Sequence, residues 1–542
     1  MAEVLAVLEK EGGWSVLAID YELGYLLEPK AAPANWPGGG KRPLLRAWRF
    51  ERCIQMSADE LDRWLDDATD GAAAGVGGLT PGLSEADYLA AVERIQQWIG
   101  EGDCYQVNFT FPLHFEWFGA PLALYARLRQ RQPVRYGGFV GNDREAVVSL
   151  SPELFLLRHG DRLLTRPMKG TAPRTEPADV LRNSVKDRAE NLMIVDLLRN
   201  DLGRIARNGS VQVDHLFDIE AYPSVWQMVS EISADIGNAS LSEILSALFP
   251  CGSITGAPKI RAMQIAAELE SGPRGLYTGA LGWLGPNGDF RLNVAIRTLE
   301  LEADGRGKMG VGSGIVADSS PPAEWAECQL KSRFLRDCPP GLRLIETLRR
   351  ENGVCPKLEG HLARLRRSAA WFGFSFDQEA LLQHISALPA DGVWRVRVTL
   401  GKAGDLDVQA FTLGEEPMGP RFARLAGAPI ASGDPLRHHK TTERSFYDAA
   451  LNELVGEPAL FDLVFLNERG EVAEGARSTV FVERNGVWLT PPLASGALPG
   501  VLRAEMLAGG LARECVLWPE DLAAGFWLGN ALRGLLRVTL QP

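Results

Sequence analysis

Residues 149–174 read SLSPELFLLRHGDRLLTRPMKGTAPR, and the reading of this stretch decides what the chain builds. Leu154 to Leu157 is an apolar, strand-like run, His159-Gly160-Asp161 is a turn signal, and Leu163-Leu164 opens a second apolar run. The spacing predicts a β-hairpin, whose geometry brings its two ends together. Those ends carry Glu153 and Lys169. Lys169 stands between Met168 and Gly170, outside any run of charge, and an amine held away from water favours its neutral, nucleophilic form. Taken by itself the stretch fits a solvated loop lysine better, because most lysines keep their charge in water.

Upstream, Trp14 to Ile19 and then Tyr25 to Leu27 alternate as strands do, and Ser57 with Glu60 three residues on makes a capping box. Residues 67–83, DDATDGAAAGVGGLTPG, lack periodicity and read as a flexible surface connection. From Ser84 the spacing of Tyr88, Val92, Ile95 and Ile99 predicts an amphipathic helix. In GDCYQVNFTFPLHF, Tyr105, Val107, Phe109 and Phe111 alternate with Gln106, Asn108 and Thr110, which predicts a strand with a wet polar face.

Downstream of the hairpin, residues 186–209 carry apolar side chains at 192, 195, 198 and 202, a helix of about six turns. Its other side holds Asp187, Glu190, Asn200 and Asp201. The turn PCGSITGAPK (250–259) leads into a helix from Ile260 to Leu269 and offers the hydroxyls of Ser253 and Thr255, with free backbone NH groups, to an anion. LYTGALGWL, RLNVAIRTLEL and KMGVGSGIVADS read as three strands joined by hairpin turns. Arg297 follows the apolar Val294-Ala295-Ile296. Gly310, Gly312 and Gly314 alternate along the last strand, which suits a ligand or a tight packing contact equally. In the helix that follows, Glu324, Glu327 and Lys331 share one face, in isolation an ordinary surface arrangement.

DCPPG at 337–341 breaks the pattern and divides the chain in two. Residues 1–340 comprise a short N-terminal region, 1–83, and a core, 84–336; residues 341–542 form the remainder. Beyond the break, Leu342 to Leu348 reads as a strand, and HLARLRRSAAWFG as a helix with His361, Arg364 and Ser368 on one side. Strands follow at Trp394 to Leu400 and Asp407 to Leu413. Lys440 precedes a helix capped by Thr441 or Thr442, and strands at Leu460 to Asn467 and Thr479 to Glu483 flank ERGEVAEGARS.

At 542 residues the chain exceeds a single core, since domains run at roughly 150 residues each. A net charge of −12 excludes a non-specific nucleic-acid binder, which needs a basic face. Seven scattered cysteines with no C-x-x-C pair suggest neither a disulfide framework nor a zinc site, and fit a reducing compartment. The N-terminus has no basic leader before an apolar core, and no run of about 18 apolar residues occurs. The expectation is a soluble cytoplasmic protein without a membrane partner.

SPELF, RPMKGTAPR, KDRAENLMIVDLLRNDLGR, SITGAPKIRAM, YTGALGWL, NVAIRTL, GVGSGIVADS and EWAEC...K follow one another over residues 84–336. That order resembles the chorismate-utilising enzymes, the family of anthranilate synthase component I, aminodeoxychorismate synthase component I and isochorismate synthase. The resemblance implies an α+β fold with large β-sheets in a sandwich flanked by helices. It also implies a magnesium ion held at the positions of Glu190, Glu327 and Glu324, since hard oxygen ligands suit Mg²⁺. Arg297, Lys331, Tyr277, Thr255 and the segment Gly312-Ser313-Gly314 match positions that hold the substrate's carboxylates and ring.

Within that family Lys169 discriminates. Anthranilate synthases carry alanine in P-x-A-G-T, whereas P-x-K-G-T resembles the aminodeoxychorismate synthases. There the lysine is proposed to attack C2 of chorismate and expel the C4 hydroxyl, and ammonia then enters at C4. Glu153 matches the general acid that protonates the leaving hydroxyl, which requires a protonated Glu153 and a neutral Lys169. Two departures stand out: Gln227 occupies the place of a family histidine, and the short region before residue 84 leaves a tryptophan or regulatory pocket unassured. With no cysteine in a G-x-C-x-G setting, ammonia is expected from solution or from a separate glutamine amidotransferase.

Residues 341–542 resemble the fold-type IV pyridoxal-phosphate enzymes, the aminodeoxychorismate lyases and the branched-chain and D-amino-acid aminotransferases. Lys440 matches the lysine that carries the cofactor, Glu474 the carboxylate at the pyridine nitrogen and Arg364 the phosphate-binding arginine. Thr479, Val501 and Leu502 depart from the usual phosphate-cup residues. Arg533 in GNALRGL resembles the lyase end of the family, where this segment approaches substrate. The expected function is amination of chorismate at C4 followed by loss of pyruvate to give 4-aminobenzoate for folate synthesis, with a homodimer through the second region. The alternatives are an anthranilate synthase in the first region, and an aminotransferase or a catalytically silent module in the second.

Overall fold

The computed structural model describes every residue except 34–35, 37–42, 143, 223–224, 415–418, 458 and 542. The chain divides into two compact units. Met1–Asp70, Leu79–Phe115 and Ala120–Cys338 make the first; Gly71–Gly78, Glu116–Gly119 and Pro339–Pro542 make the second.

Two sheets are built mostly from the first unit. A 9-stranded sheet runs Gln212–Ala221, Val225–Asp235, Arg162–Arg166, Leu154–His159, Phe290–Val294, Ala280–Leu284, Trp14–Ile19 and Leu45–Phe50, with Met168–Pro173 pairing onto Val225–Asp235. A 7-stranded sheet runs Gly256–Ala257, Gln106–Phe118, Arg306–Ile315, Thr298–Leu301, Ala146–Ser149 and Gly138–Gly141, with Gly75–Pro81 pairing onto Gln106–Phe118. The strand Trp14–Ile19 explains why the sheet is covered on both faces. Leu17 and Ile19 pack with Leu163 of the hairpin and with Ile194, Leu198 and Leu245 of the helices Val185–Gly203 and Leu241–Leu248. Ala18 packs the other way, with Val147 of the second sheet, Leu281 and Ala295. Each large apolar side chain so enclosed contributes about 1.5–3 kcal/mol of transfer free energy.

The predicted hairpin is present, with Leu157 opposite Leu164 and His159 opposite Arg162. RLNVAIRTLEL, expected as one strand, is two. Phe290–Val294 belongs to the larger sheet and Thr298–Leu301 to the smaller, and the chain passes between them at Arg297, whose φ is +49°. Residues 150–153 make the same passage from Ala146–Ser149 to Leu154–His159. The two passages are tied together: Leu150 N donates to Arg297 O at 2.9 Å, Val294 N to Glu153 O at 3.1 Å and Ser151 Oγ to Val294 O at 2.6 Å. Glu153 and Arg297 therefore sit where the chain leaves one sheet for the other.

Several expectations are corrected. Tyr25 to Leu27 lies in a short helix, Leu23–Leu27, because Leu23 and Tyr25 are buried with it and tertiary packing overrides β alternation. Residues 67–83 are no free connection: Gly75–Pro81 is a strand and Ala73 and Ala74 are buried. The helix expected to end near Gly209 ends at Gly203. The face of Gln106 and Thr110 is not wet, since both side chains are buried. The Ser57–Glu60 capping box forms as expected.

In the second unit, Leu344–Glu351, Val393–Leu400 and Leu406–Thr412 make a 3-stranded antiparallel sheet. Leu362, Leu365 and Phe372 of the helix Leu358–Phe372 share its core with Val396 and Val398. An 8-stranded sheet holds the remaining strands around Val464, Val480, Phe526 and Leu528. The segment before Lys440 reaches the smaller sheet, where Ile345 N donates to Lys440 O at 2.8 Å. The helix after it is Ser445–Asn452, with Arg444 at its N-terminus and no side-chain cap. Thr442 Oγ1 instead accepts from Arg343 N, so it ties the segment after the lysine to Arg343 and does not cap the helix.

Candidate active sites

The first site is built around Glu153. Its side chain is buried at the sheet passage, and Ser253 Oγ donates to Oε1 at 2.7 Å. Burial pushes the carboxyl up to about 7, against the opposing pull of Ser253, Lys169 and Lys331. Ser253 in turn lies 3.2 Å from Cys251 Sγ, and burial pushes that thiol up to about 12, which keeps it protonated. A directed chain results: the thiol donates to Ser253, Ser253 donates to Glu153 Oε1, and a proton on the carboxyl is left to Oε2.

Lys169 is in the strand Met168–Pro173. The residue is half-buried, yet desolvation at its amine is the largest influence and pushes its pKa down. Lys331 adds to that push, while Glu153, Glu190 and Glu327 oppose it. The buried Asn191 holds the Lys169 carbonyl at 3.4 Å and is itself oriented by Ser230 Oγ at 2.6 Å. Gln227 accepts from Thr171 Oγ1 at 3.0 Å, two residues beyond the lysine. The amide therefore serves as a hydrogen-bond partner; it cannot titrate as the family histidine would.

The glycine strand divides in use. A Cβ at Gly310 would meet the Tyr277 ring at 2.1 Å, and one at Gly312 would meet Phe109 O at 2.3 Å, so both are packing requirements. At Gly314 it would lie 2.7 Å from Gln106 Nε2 and 3.5 Å from Lys169 Nζ, so this glycine opens space beside the amine. Ser313 points elsewhere, its hydroxyl 2.8 Å from Tyr88 OH. Lys331 Nζ donates to Gly312 O at 2.9 Å and pairs with Glu327 Oε1 at 2.7 Å.

Burial drives the Glu327 carboxyl up, but Lys331, with Lys169 and Lys186, outweighs it and holds the group below the usual range. Glu190 shifts the other way, raised by burial. Glu324 Oε1 accepts from Ser319 Oγ at 2.8 Å. Among the described residues no three acidic, histidine or cysteine side chains stand close enough to hold a metal by themselves. Magnesium does not require such a cage, since it is commonly held by one or two carboxylates with waters and ligand oxygens. Glu190 and Glu327, which sense the same pair Lys169 and Lys186, fit that donor chemistry.

Thr255 Oγ1 donates to Cys251 O at 2.8 Å, so of the two hydroxyls in GSIT it is Ser253, not Thr255, that reaches the acid. Arg297 is half-buried, burial pushes its pKa down, and among the described residues no carboxylate pairs with it. A desolvated guanidinium without a counter-charge is a socket for an anion.

The second site surrounds Lys440. Burial pushes its amine down to about 8, helped by Arg364 and Arg444 and opposed by Glu346 and Glu474. Glu474 is buried, accepts from Tyr447 OH, and takes Leu498 N on Oε2 at 2.9 Å. Glu346, unmarked by the sequence analysis, anchors Arg364 bidentately at 2.8 and 2.6 Å and holds His361 Nδ1 at 2.6 Å. Burial opposes the charge on Glu346, but Arg364 and His361 prevail and hold it near about 2. Arg364 Nη1 keeps only a 3.4 Å contact with Pro499 O, beside the start of the helix Val501–Ala508. Gly500 is required there, because a Cβ would lie 2.8 Å from Thr479 Oγ1. A guanidinium held by Glu346 with its Nη1 only weakly engaged, a helix N-terminus, a lysine pushed down to about 8 and a buried carboxylate together fit the donor chemistry of pyridoxal phosphate. Arg533 N donates to Asn530 Oδ1 at 2.9 Å, and Arg533 lines one cavity with His361, the partner of Glu346.

Glu153 and Arg297 thus stand at the passage between the two sheets, with the Lys169 amine in the field of the Glu153 carboxyl. Residues 5–337 match the profile of the family described as chorismate binding enzyme, more than half of the chain, and the chain belongs to that family. Residues 343–540 match amino-transferase class IV. Aminodeoxychorismate synthase component 1 of Escherichia coli is 42% identical over 253 residues, covering 45% of this chain and 56% of that protein. Anthranilate synthase component 1 of Streptomyces coelicolor is 40% identical over 272 residues, covering 48% and 53%. The chain spans about half the length of these curated relatives. The crystal structure of anthranilate synthase component I from Streptococcus pneumoniae aligns with a TM-score of 0.51 at 26% identity, over 59% of this chain and 80% of that one.

Proposed function

We propose that the chain makes 4-aminobenzoate from chorismate in two steps, the first in residues 1–340 and the second in residues 341–542. One observation carries the first step: a desolvated Lys169 amine and a Glu153 carboxyl raised to about 7 sit within each other's field. That pairing moves the amine towards its neutral, nucleophilic form and the carboxyl towards its protonated, acidic form. Lys169 attacks C2 of chorismate as the C4 hydroxyl leaves with the proton from Glu153 Oε2. Ammonia then bonds to C4, the lysine leaves C2, and 4-amino-4-deoxychorismate results. Arg297 and Lys331 hold carboxylates, with Tyr277, Thr255 and the Gly312-Ser313-Gly314 segment shaping the ring site. Glu190 and Glu327, with Glu324 beside them, would hold Mg²⁺, which neutralises substrate charge.

In the second step pyridoxal phosphate, when bound, supplies an electron sink. Arg364 and the NH groups from Val501 would hold its phosphate, and Glu474 would face its pyridine nitrogen. Lys440, poised at about 8, removes the C4 proton of the substrate, and pyruvate departs as the ring becomes aromatic. A separate glutamine amidotransferase supplies ammonia, as the component 1 relative implies. A reducing, cytoplasmic setting is supported by seven free cysteines, and no helix among the described residues is long and apolar enough to cross a membrane. Pairing of two copies through the second region rests on the class IV resemblance.

Incubating the chain with chorismate, Mg²⁺ and ammonium tests the reading, and 4-aminobenzoate with stoichiometric pyruvate is expected. The identity to an anthranilate synthase favours a second reading for the first region. Anthranilate as the sole aromatic product would establish it.

A further inference from the structure

One buried ion pair of the first unit takes no part in the chemistry above, yet it closes the loop that carries Ser253. The helix Leu241–Leu248 ends at Leu248 and the helix Lys259–Leu269 opens at Lys259, and between them residues 249–257 are buried without a break. Lys259 Nζ donates to Asp201 Oδ2 at 2.6 Å and to Leu248 O at 3.2 Å. The two side chains are almost wholly withdrawn from water, 10% and 5% exposed. A single ammonium thus ties both ends of the loop to the helix Val185–Gly203. Burial pushes the Asp201 carboxyl up, Lys259 and Arg204 oppose it, and Glu28 adds to the rise.

The two halves of the loop are held differently. Its exit pairs with the strand Gln106–Phe118: Gly256 stands opposite Val107, Ala257 opposite Gln106, and Asn108 N donates to Thr255 O at 3.1 Å. Its entry, with Cys251, Gly252 and Ser253, joins neither sheet. There Gly252 lies so close to the helix Val185–Gly203 that a Cβ would meet Leu197 Cδ2 at 2.6 Å and stand 3.7 Å from Asp201 Oδ2. The charge of Lys259 is felt at the Cys251 thiol, which it pulls down against burial. From that thiol the path is short: Cys251 Sγ lies 3.2 Å from Ser253 Oγ, and Ser253 Oγ 2.7 Å from Glu153 Oε1. A buried ion pair is a weak source of stability, because desolvation offsets its attraction unless the geometry is good.

We propose that Asp201 and Lys259 are positioning residues for the proton donor: their ion pair fixes the entry half of the loop so that the Ser253 hydroxyl meets Glu153. This rests on the reading of Glu153 as the acid. Both residues act through Ser253 and not on the reacting atoms.

The test replaces the pair by Asp201→Leu with Lys259→Met in the full chain, an apolar exchange that folds commonly survive. Asp201→Asn, which keeps the shape and removes the charge, repeats the test. Alkylation by N-ethylmaleimide, mapped by mass spectrometry, reads the loop without recourse to activity. Cys251 is expected to label about tenfold faster than in wild type, while Cys104 and Cys328, buried elsewhere, keep their rates. The ratio of variant to wild-type kcat/KM for ammonium-dependent chorismate consumption is expected to fall about tenfold at neutral pH and to climb on the alkaline side, as Glu153 loses its donor. In a Ser253→Ala background the exchange should add nothing further, because changes that act through one contact are not additive. Protected Cys251 with a constant ratio, additive losses in the combined variant, or faster labelling spread evenly over Cys104, Cys251 and Cys328 overturns the proposal. Selective labelling of Cys251, with a ratio that is constant both here and in Ser253→Ala, keeps the tie and sinks Glu153 as the acid.

Discussion

Replacing Ser253 by alanine removes the hydroxyl that donates to Glu153 Oε1 at 2.7 Å, in a place where both side chains are buried and water does not substitute. A hydrogen bond to a charged acceptor contributes about 1.5–3 kcal/mol. Because this bond stabilises the carboxylate, its loss raises the pKa, and at 1.36 kcal/mol per unit the shift is about 1–2 units. The starting point is about 7. Glu153 acts as an acid and works only when protonated, so the wild-type rate falls as pH rises through its pKa, and the variant's fall comes about 1–2 units higher. The assay is kcat/KM for ammonium-dependent consumption of chorismate across pH, expressed as the ratio of variant to wild type. Ammonia's own titration cancels in that ratio, which should climb on the alkaline side. Ser253→Thr, which keeps a hydroxyl, should return the ratio towards a constant. A pH-independent ratio in Ser253→Ala would refute the assignment of Glu153 as the acid held by Ser253.

Lys169→Ala should abolish formation of 4-amino-4-deoxychorismate, read by chromatography, while circular dichroism stays unchanged; retention of C4 amination would remove the lysine from the chemistry. Lys440→Ala should lose the pyridoxal absorption band and pyruvate release yet still consume chorismate, and a persisting band would place the cofactor on another amine. Glu346→Gln leaves Arg364 without its buried counter-charge and should cost the second unit about 3–5 kcal/mol in urea unfolding. Since Glu346 is held near about 2 from an ordinary 4.5, its contribution is present above pH 4.5 and is lost as pH falls towards 2. Acid unfolding of wild type in that window, absent as a titrating step in Glu346→Gln, is the expected signature.

Much of the local structure was legible in order along the chain. The Leu154–His159 and Arg162–Arg166 hairpin, the Ser57 capping box and the helix after Ser84 are set by neighbours in sequence, through turn residues, caps and periodicity. The residue types that carry the chemistry were legible too, because P-x-K-G-T, SITGAPK and HHKTTER resemble families whose positions carry over residue by residue.

What sequence left undecided are relations between distant segments. Nothing local distinguishes Ser253 from Thr255, two hydroxyls in one turn; the passage of residues 150–153 between the sheets decides which of them meets Glu153. Glu346 looked like any strand glutamate until the helix Leu358–Phe372 brought Arg364 and His361 against it. Alternation gave Gln106 a wet face, whereas in the fold its side chain is buried, with its amide beside Gly314 of the neighbouring strand. At residues 149–174, where the reading began, the sequence by itself determined a hairpin with a glutamate and a lysine at its ends. Only tertiary structure desolvated both groups, and that withdrawal from water moves the lysine and the acid towards the protonation states in which they react.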